Sequence, residues 1–98
     1  MNLQEFTDEI RRRIGADSNL GATVKLATDQ GVIYIDGRQN PPVVSNDDAE
    51  ADSTIKVSLS DLQKLGTGEL NPMTAFMFGK IKVQGDMGLA MKIGQKLG

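Results

Sequence analysis

Leu3, Phe6, Ile10 and Ile14 recur at spacings of three and four, with Glu5, Asp8, Glu9 and the triplet Arg11-Arg12-Arg13 between them. That period predicts an amphipathic helix over residues 2–14, stopped by Gly15. Its acids stand early and its arginines late, the order a helix dipole favours. From Thr23 the period falls to two. Val24 and Leu26 alternate with Thr23 and Lys25, the turn Asp29-Gln30-Gly31 follows, and Val32 to Ile35 makes a second run, together the pattern of a β-hairpin. Asp36-Gly37 turns the chain again. Pro41-Pro42 exclude helix and central strand, which leaves Val43-Val44 as a short edge strand and Asn46 to Asp52 as an acidic loop.

Ser53 to Leu59 alternates once more, with Ile55, Val57 and Leu59 on one face and Thr54, Lys56 and Ser58 on the other, so it reads as a strand. Ser58 and Asp61 fit a capping box, which starts a short helix at Leu59 or Ser60 that buries Leu62 and Leu65 and ends at Gly66-Thr67-Gly68. Asn71-Pro72 caps a second helix, with proline where a missing N–H costs nothing, and Gly79 ends it. Lys80 to Gln84 is a further alternating strand, and Asp86 is the N-cap of a last helix. The order is α, several β, then α-α-β-α. At 98 residues it is expected to form a single domain, residues 1–98.

Hydrophobic residues at 39% and charged residues at 24% are globular values. A net charge of -2 and four aromatic residues argue against nucleic acid as a partner, since phosphate binding needs clustered cations. On a helix the three consecutive arginines point in different directions and make no stripe, so they read as a solvated helix end. The chain has no cysteine and no histidine. That removes disulfides, thiolate zinc sites, Ser-His and Cys-His nucleophiles and the commonest general base. The acids Asp47, Asp48, Glu50 and Asp52 lack the glycine and terminal glutamate of a calcium loop, so no metal and no cofactor are expected. Tyr34 and the carboxylates show no acid–base spacing, and the expectation is a protein that is not an enzyme. The first residues lack a signal-peptide pattern and no segment approaches a membrane span, so the expected location is cytoplasmic.

On a helical wheel Met87, Leu89, Ala90, Met91, Ile93, Gly94 and Leu97 occupy one arc of roughly 200°, where a surface helix shows about 100°. Pro72 to Phe78 is more extreme, because only Thr74 is polar among Met73, Ala75, Phe76, Met77 and Phe78. A neighbouring helix, a partner chain or a ligand has to cover such surplus. Methionine repacks around tails of different shape, and four of the five methionines lie between Met73 and Met91. Read from the residues alone, they are either gap-fillers in a small core or the lining of a cavity.

The run Ala51-Asp52-Ser53-Thr54-Ile55-Lys56-Val57-Ser58, then Asp61-Leu62, then Gly66 to Lys92 closely resembles the sterol carrier protein 2 family. The elements Thr67-Gly68-Glu69-Leu70-Asn71-Pro72, Ala75-Phe76 with Gly79-Lys80, and Asp86-Met87-Gly88-Leu89-Ala90 occur in the family's order and spacing. The first half resembles it only in outline. The resemblance implies an α+β fold, a five-stranded, mainly antiparallel sheet covered by helices that enclose an apolar tunnel. It implies a lipid partner, namely a fatty acid, acyl-CoA, phospholipid or sterol-like molecule. The positions it brings to a lipid are Phe76, Met77, Met87, Leu89, Ala90, Met91 and Ile93, with Phe6 and Ile10 as a facing wall.

The reading is therefore a non-catalytic lipid carrier. Its alternatives are an accessory module that presents lipid to a partner enzyme, and a homodimerisation module with no ligand. Lys80 and Lys82, on one strand face, would suit a transient membrane contact. Arg11 to Arg13 with the loop Ala16 to Leu20 would suit a carboxylate at the tunnel mouth.

Overall fold

A computed structural model describes residues 2–14, 20–39 and 41–97. The elements are α1 (Leu3–Ile14), β1 (Thr23–Thr28), β2 (Gly31–Asp36), β3 (Val43–Ser45), β4 (Ser53–Lys56), α2 (Leu59–Thr67), α3 (Pro72–Met77), β5 (Lys82–Gly85) and α4 (Met87–Leu97). The five strands form one sheet in the order β3-β2-β1-β4-β5. β1 and β4 run parallel at its centre, and the other three pairings are antiparallel. The fold is α+β, with the mainly antiparallel five-stranded sheet that the resemblance implied.

Cross-strand register turns the alternation of the sequence into two continuous apolar rows. One row is Val44, Ile35, Val24 and Ser53, and the other is Ile33, Leu26, Ile55 and Val83. Ile33, Ile35, Val24 and Leu26 are almost wholly removed from solvent. The opposite face presents Lys25, Tyr34, Thr54, Lys56, Lys82 and Gln84, a half-solvated set. Only one face of this sheet is apolar, so all of the covering must come from one side. α1 packs by β3, α4 packs over β4, β1 and β5, and the two helices meet each other. Phe6, Ile10 and Ile14 from α1 join Leu89, Ala90 and Ile93 from α4 in the core they share with the sheet.

Two strand boundaries differ from the sequence pattern. β4 stops at Lys56 because Ser58 is already an N-cap: its side chain accepts from the Asp61 N–H, and Leu59 is the first helical residue. β5 starts at Lys82 because the Lys80 N–H donates to Ala75 O at 2.9 Å, which keeps Lys80 in the closing turn of α3. Gly15, expected to end α1, and most of the loop Ala16 to Leu20 lie outside the described residues.

The arginine triplet is more than a solvated end. Arg11 donates to Val44 O from Nε at 3.2 Å and Nη2 at 2.8 Å, so α1 occupies a carbonyl on the sheet's edge strand. Arg13 Nη1 donates to Gly66 O at 3.0 Å, and Arg12 and Arg13 both pair with Glu9. These two arginines, Arg12 foremost, hold the Glu9 carboxyl below its ordinary range. Thr7, fully buried, donates to Leu3 O and accepts from Asn46 Nδ2, which also reaches Val32 O, so α1 is tied to the sheet at both ends.

Each end of the hairpin carries a carboxylate with a structural task. Asp29 accepts from the Leu59 N–H at 2.8 Å, which fastens α2 to the β1–β2 turn and lowers the Asp29 pKa. Asp36, buried at the far end of β2, accepts from Arg38 and Gln39. The Arg38 guanidinium is the chief reason that its carboxyl is lowered from 3.8 to about 2. A carboxyl depressed by folding adds stability above its unfolded pKa, and that contribution disappears as pH falls through the folded value.

Two predictions follow from this packing. Ile93→Ala, at a site 1% exposed, lowers the unfolding free energy by about 2–5 kcal/mol in urea titrations. Asp36→Asn destabilises the protein at neutral pH, and the gap between variant and wild type closes as pH falls from 3.8 towards about 2. A gap that stays constant across that window would show that the Asp36 charge plays no part.

Candidate functional site

The segment from α2 to α4 is built from caps. Ser58 opens α2, and Gly68 closes it in the left-handed conformation at φ 82°, its N–H donating to Leu65 O. A side chain at Gly68 would strain that turn. Asn71 opens α3 by accepting from the Met73 and Thr74 N–H groups, with Pro72 at its first position. Asp86 opens α4 by accepting from the Leu89 N–H at 3.2 Å, while its own N–H donates to Asp52 O at 3.0 Å. These caps fix where each helix begins, and so which of its faces meets the sheet.

α2 buries Leu59 and Leu62, with Leu65 packed against the core in part. α3 is short, and Ala75 is the single residue it buries. Its other apolar side chains point to solvent: Met73 is 66% exposed, Met77 77% and Phe78, directly after it, 76%. Phe76 is exposed to a lesser degree. α4 divides cleanly. Leu89, Ala90 and Ile93 sit in the core, whereas Met87 and Met91, one turn apart, are exposed, Met91 at 59%.

The positions expected to meet a lipid therefore separate into two groups. Phe6, Ile10, Leu89, Ala90 and Ile93 belong to the core between sheet and helices. Phe76, Met77, Met87 and Met91 stand outside it, on the two helices that flank β5. Of the three covers expected for the apolar α3, namely a neighbouring helix, a partner chain or a ligand, no neighbouring helix of this chain supplies one, and Ala75 is the one residue of α3 that is buried. The side chain of Leu97 lies outside the described residues.

Around these apolar groups the exposed charges are mostly cationic. Lys80, Lys82 and Lys92 are all exposed, and the acid in the same stretch, Asp86, is engaged as a cap. Lys80 precedes β5 instead of sharing its face with Lys82. The arginines proposed for a carboxylate are occupied by backbone carbonyls and by Asp8 and Glu9. Within the acidic loop Asp48 pairs with Lys25 and Asp52 accepts from the Thr23 N–H and hydroxyl. Among the described residues no group of three or more carboxylates is placed to hold a metal, and no helix is long and apolar enough to cross a membrane.

The chemistry of this region is that of apolar surface on a capped, well-defined scaffold. The SCP-2 sterol transfer family model matches residues 15–97. The chain belongs to this family. Sterol carrier protein 2 of Bos taurus is 55% identical over 51 residues, which make up 52% of this chain and 9% of the bovine protein. The chain thus spans far less than two thirds of that relative. The sterol carrier protein domain 2 of Helicoverpa armigera superposes with a TM-score of 0.75 at 28% identity, covering 95% of this chain and 83% of that one. Palmitated SCP2L2 from Aedes aegypti superposes with a TM-score of 0.70 at 26% identity, covering 99% of this chain and 95% of that one.

Because Met77 and Phe78 contribute nothing to the core, Met77→Glu and Phe78→Ser are expected to change the unfolding free energy by less than about 0.5 kcal/mol. Leu89→Ala, in the core, is expected to cost about 2–5 kcal/mol in the same denaturant titration.

Proposed function

We propose that this family member is a non-catalytic lipid carrier, acting as one domain over residues 1–98, that holds an acyl or sterol-like tail against the helix-covered face of its sheet. The observation that carries this reading is the set of six large apolar side chains, Met73, Phe76, Met77, Phe78, Met87 and Met91, exposed within one short stretch beside the core. Soluble proteins seldom leave so much apolar surface together unless it meets a partner. Phe76, Met77, Met87 and Met91 close over the tail from outside, and Phe6, Ile10, Leu89, Ala90 and Ile93 form the floor beneath it.

The driving force is desolvation. Each buried methylene is worth about 0.8 kcal/mol, so a tail of a dozen contributes roughly 10 kcal/mol before the costs of ordering it. Methionine suits such a lining because its unbranched thioether adapts to tails of different shape. The palmitated relative supports a fatty acyl group as the ligand class, with acyl-CoA, phospholipid and sterol-like molecules sharing the same tail chemistry. Lys80, Lys82 and Lys92 complement an anionic membrane surface during exchange.

The same exposed side chains also favour a homodimer in which two copies cover each other. A third arrangement, delivery of lipid to a partner enzyme, is supported by the small share of the bovine relative that the match occupies.

Native mass spectrometry of the purified protein, followed by solvent extraction, separates these readings. The carrier reading expects a monomer with close to one lipid per chain. Met77→Glu and Met91→Glu then weaken fatty-acid binding by about tenfold or more, since a carboxylate cannot be buried unpaired against a tail. A monomer that is empty and fails to bind a fluorescent fatty acid rejects lipid binding, and an empty dimer transfers the exposed methionines to a subunit interface.

A further inference from the structure

Ser53 is the one polar residue in the apolar row that runs across the sheet's covered face. It is fully buried, and among the described residues its Oγ has no hydrogen-bond partner. Its cross-strand neighbours are Val24, also fully buried, and Gly85. Val24 offers no polar atom from its side chain, and Gly85 offers no side chain at all. An unpaired buried hydroxyl is a net cost to folding, which alanine at this position would avoid.

The location of the hydroxyl is informative. The Asp86 N–H donates to Asp52 O, so α4 begins beside the first residue of β4, and α4 then packs over that strand. Ser53 therefore lies where the exposed Met87 gives way to the buried Leu89 and Ala90 within one helical turn.

We propose that the Ser53 hydroxyl is an internal anchor that donates to a neutral oxygen of the bound lipid, a hydroxyl or an ester carbonyl. The inference rests on the lipid-carrier reading and deepens it by assigning selectivity within the ligand class. An ionised carboxylate is a poor fit. The charged side chains nearest in the structure's connectivity, Asp52 preceding Ser53 and Asp86 at the start of α4, are both acidic, and one neutral hydroxyl cannot compensate a buried charge. A neutral oxygen needs only one donor, which Ser53 supplies. A carboxylate-bearing tail would keep its charged end in water and present methylenes to Ser53.

The test compares two probes on the full chain. Diphenylhexatriene, an oxygen-free fluorescent hydrocarbon, reports binding by desolvation alone, and hexadecan-1-ol, which competes with it, adds one hydroxyl. Ser53→Ala is expected to weaken hexadecan-1-ol about fivefold, the ratio set by a net hydrogen bond of ~1 kcal/mol, and to leave diphenylhexatriene unchanged. Thermal unfolding of the ligand-free Ser53→Ala protein is expected to occur at the wild-type temperature or above it. Ser53→Cys, which keeps the volume with a weaker donor, should fall between the two for the alcohol and serves if alanine disturbs folding. Equal affinities of wild type and Ser53→Ala for hexadecan-1-ol, or an equal loss for both probes, would overturn the anchor and leave the carrier reading intact. Failure of the wild type to bind either probe would overturn both.

Discussion

The arrangement depends on the parallel pairing of β1 with β4, and on the small polar knot that holds its open end. Asp52 accepts from both the N–H and the hydroxyl of Thr23, and Thr23 Oγ1 in turn accepts from the Asp52 N–H. The Asp52 carbonyl then takes the N–H of Asp86. One residue thereby sets the start of β1, of β4 and of α4. Parallel strands cannot be joined by a tight turn, so their register relies on such side-chain contacts and on core packing more than a hairpin's does. Without this pairing the α1–β1–β2–β3 half and the β4–α2–α3–β5–α4 half would share no strand contact.

From that pairing the location of the apolar surplus follows. The sheet has one covered face, and α1 and α4 together supply the cover. α4 starts where the Asp52–Asp86 bond places it, which directs Leu89, Ala90 and Ile93 inward and leaves Met87 and Met91 on the flank. α3 lies between α2 and β5 along the chain, and Ala75 is the one residue it buries. The edges differ at the two sides. β3 has a carbonyl occupied by Arg11, whereas β5 carries Lys82 and ends at Gly85, whose φ of 89° takes the chain out of the strand towards α4.

Much of this was legible in the residues. Periods of two and of three to four placed α1, the hairpin and the apolar face of each strand, and Ser58, Asn71-Pro72 and Asp86 marked the three later helix starts. The pattern misread Val57 to Leu59 and Lys80-Ile81 because alternation persists across a boundary that hydrogen bonding decides. Val57 still donates to Ala27 O at 3.1 Å, yet Ser58 has already turned the chain into α2. The arginine contacts were not legible, since Val44 O and Gly66 O lie 33 and 53 residues away in sequence. Helical wheels measured how apolar α3 and α4 are but not what stands opposite them, and in the chain alone Phe76 and Met77 are open to water. Ser53 was legible in part: alternation puts it on the face of Ile55, Val57 and Leu59, and register then sets it in the row with Val24 and Ile35.

Apolar exposure of this kind is tolerable only where it is cheap for folding. Stability is unevenly distributed in a protein, and elements with little buried surface lie at its low end. α3 contributes one alanine to the core, so the free energy of the fold is nearly indifferent to Met73, Met77 and Phe78. Those positions are free to serve binding, while Ile10, Ile33, Ile35 and Ile93, at 0–1% exposure, maintain the scaffold.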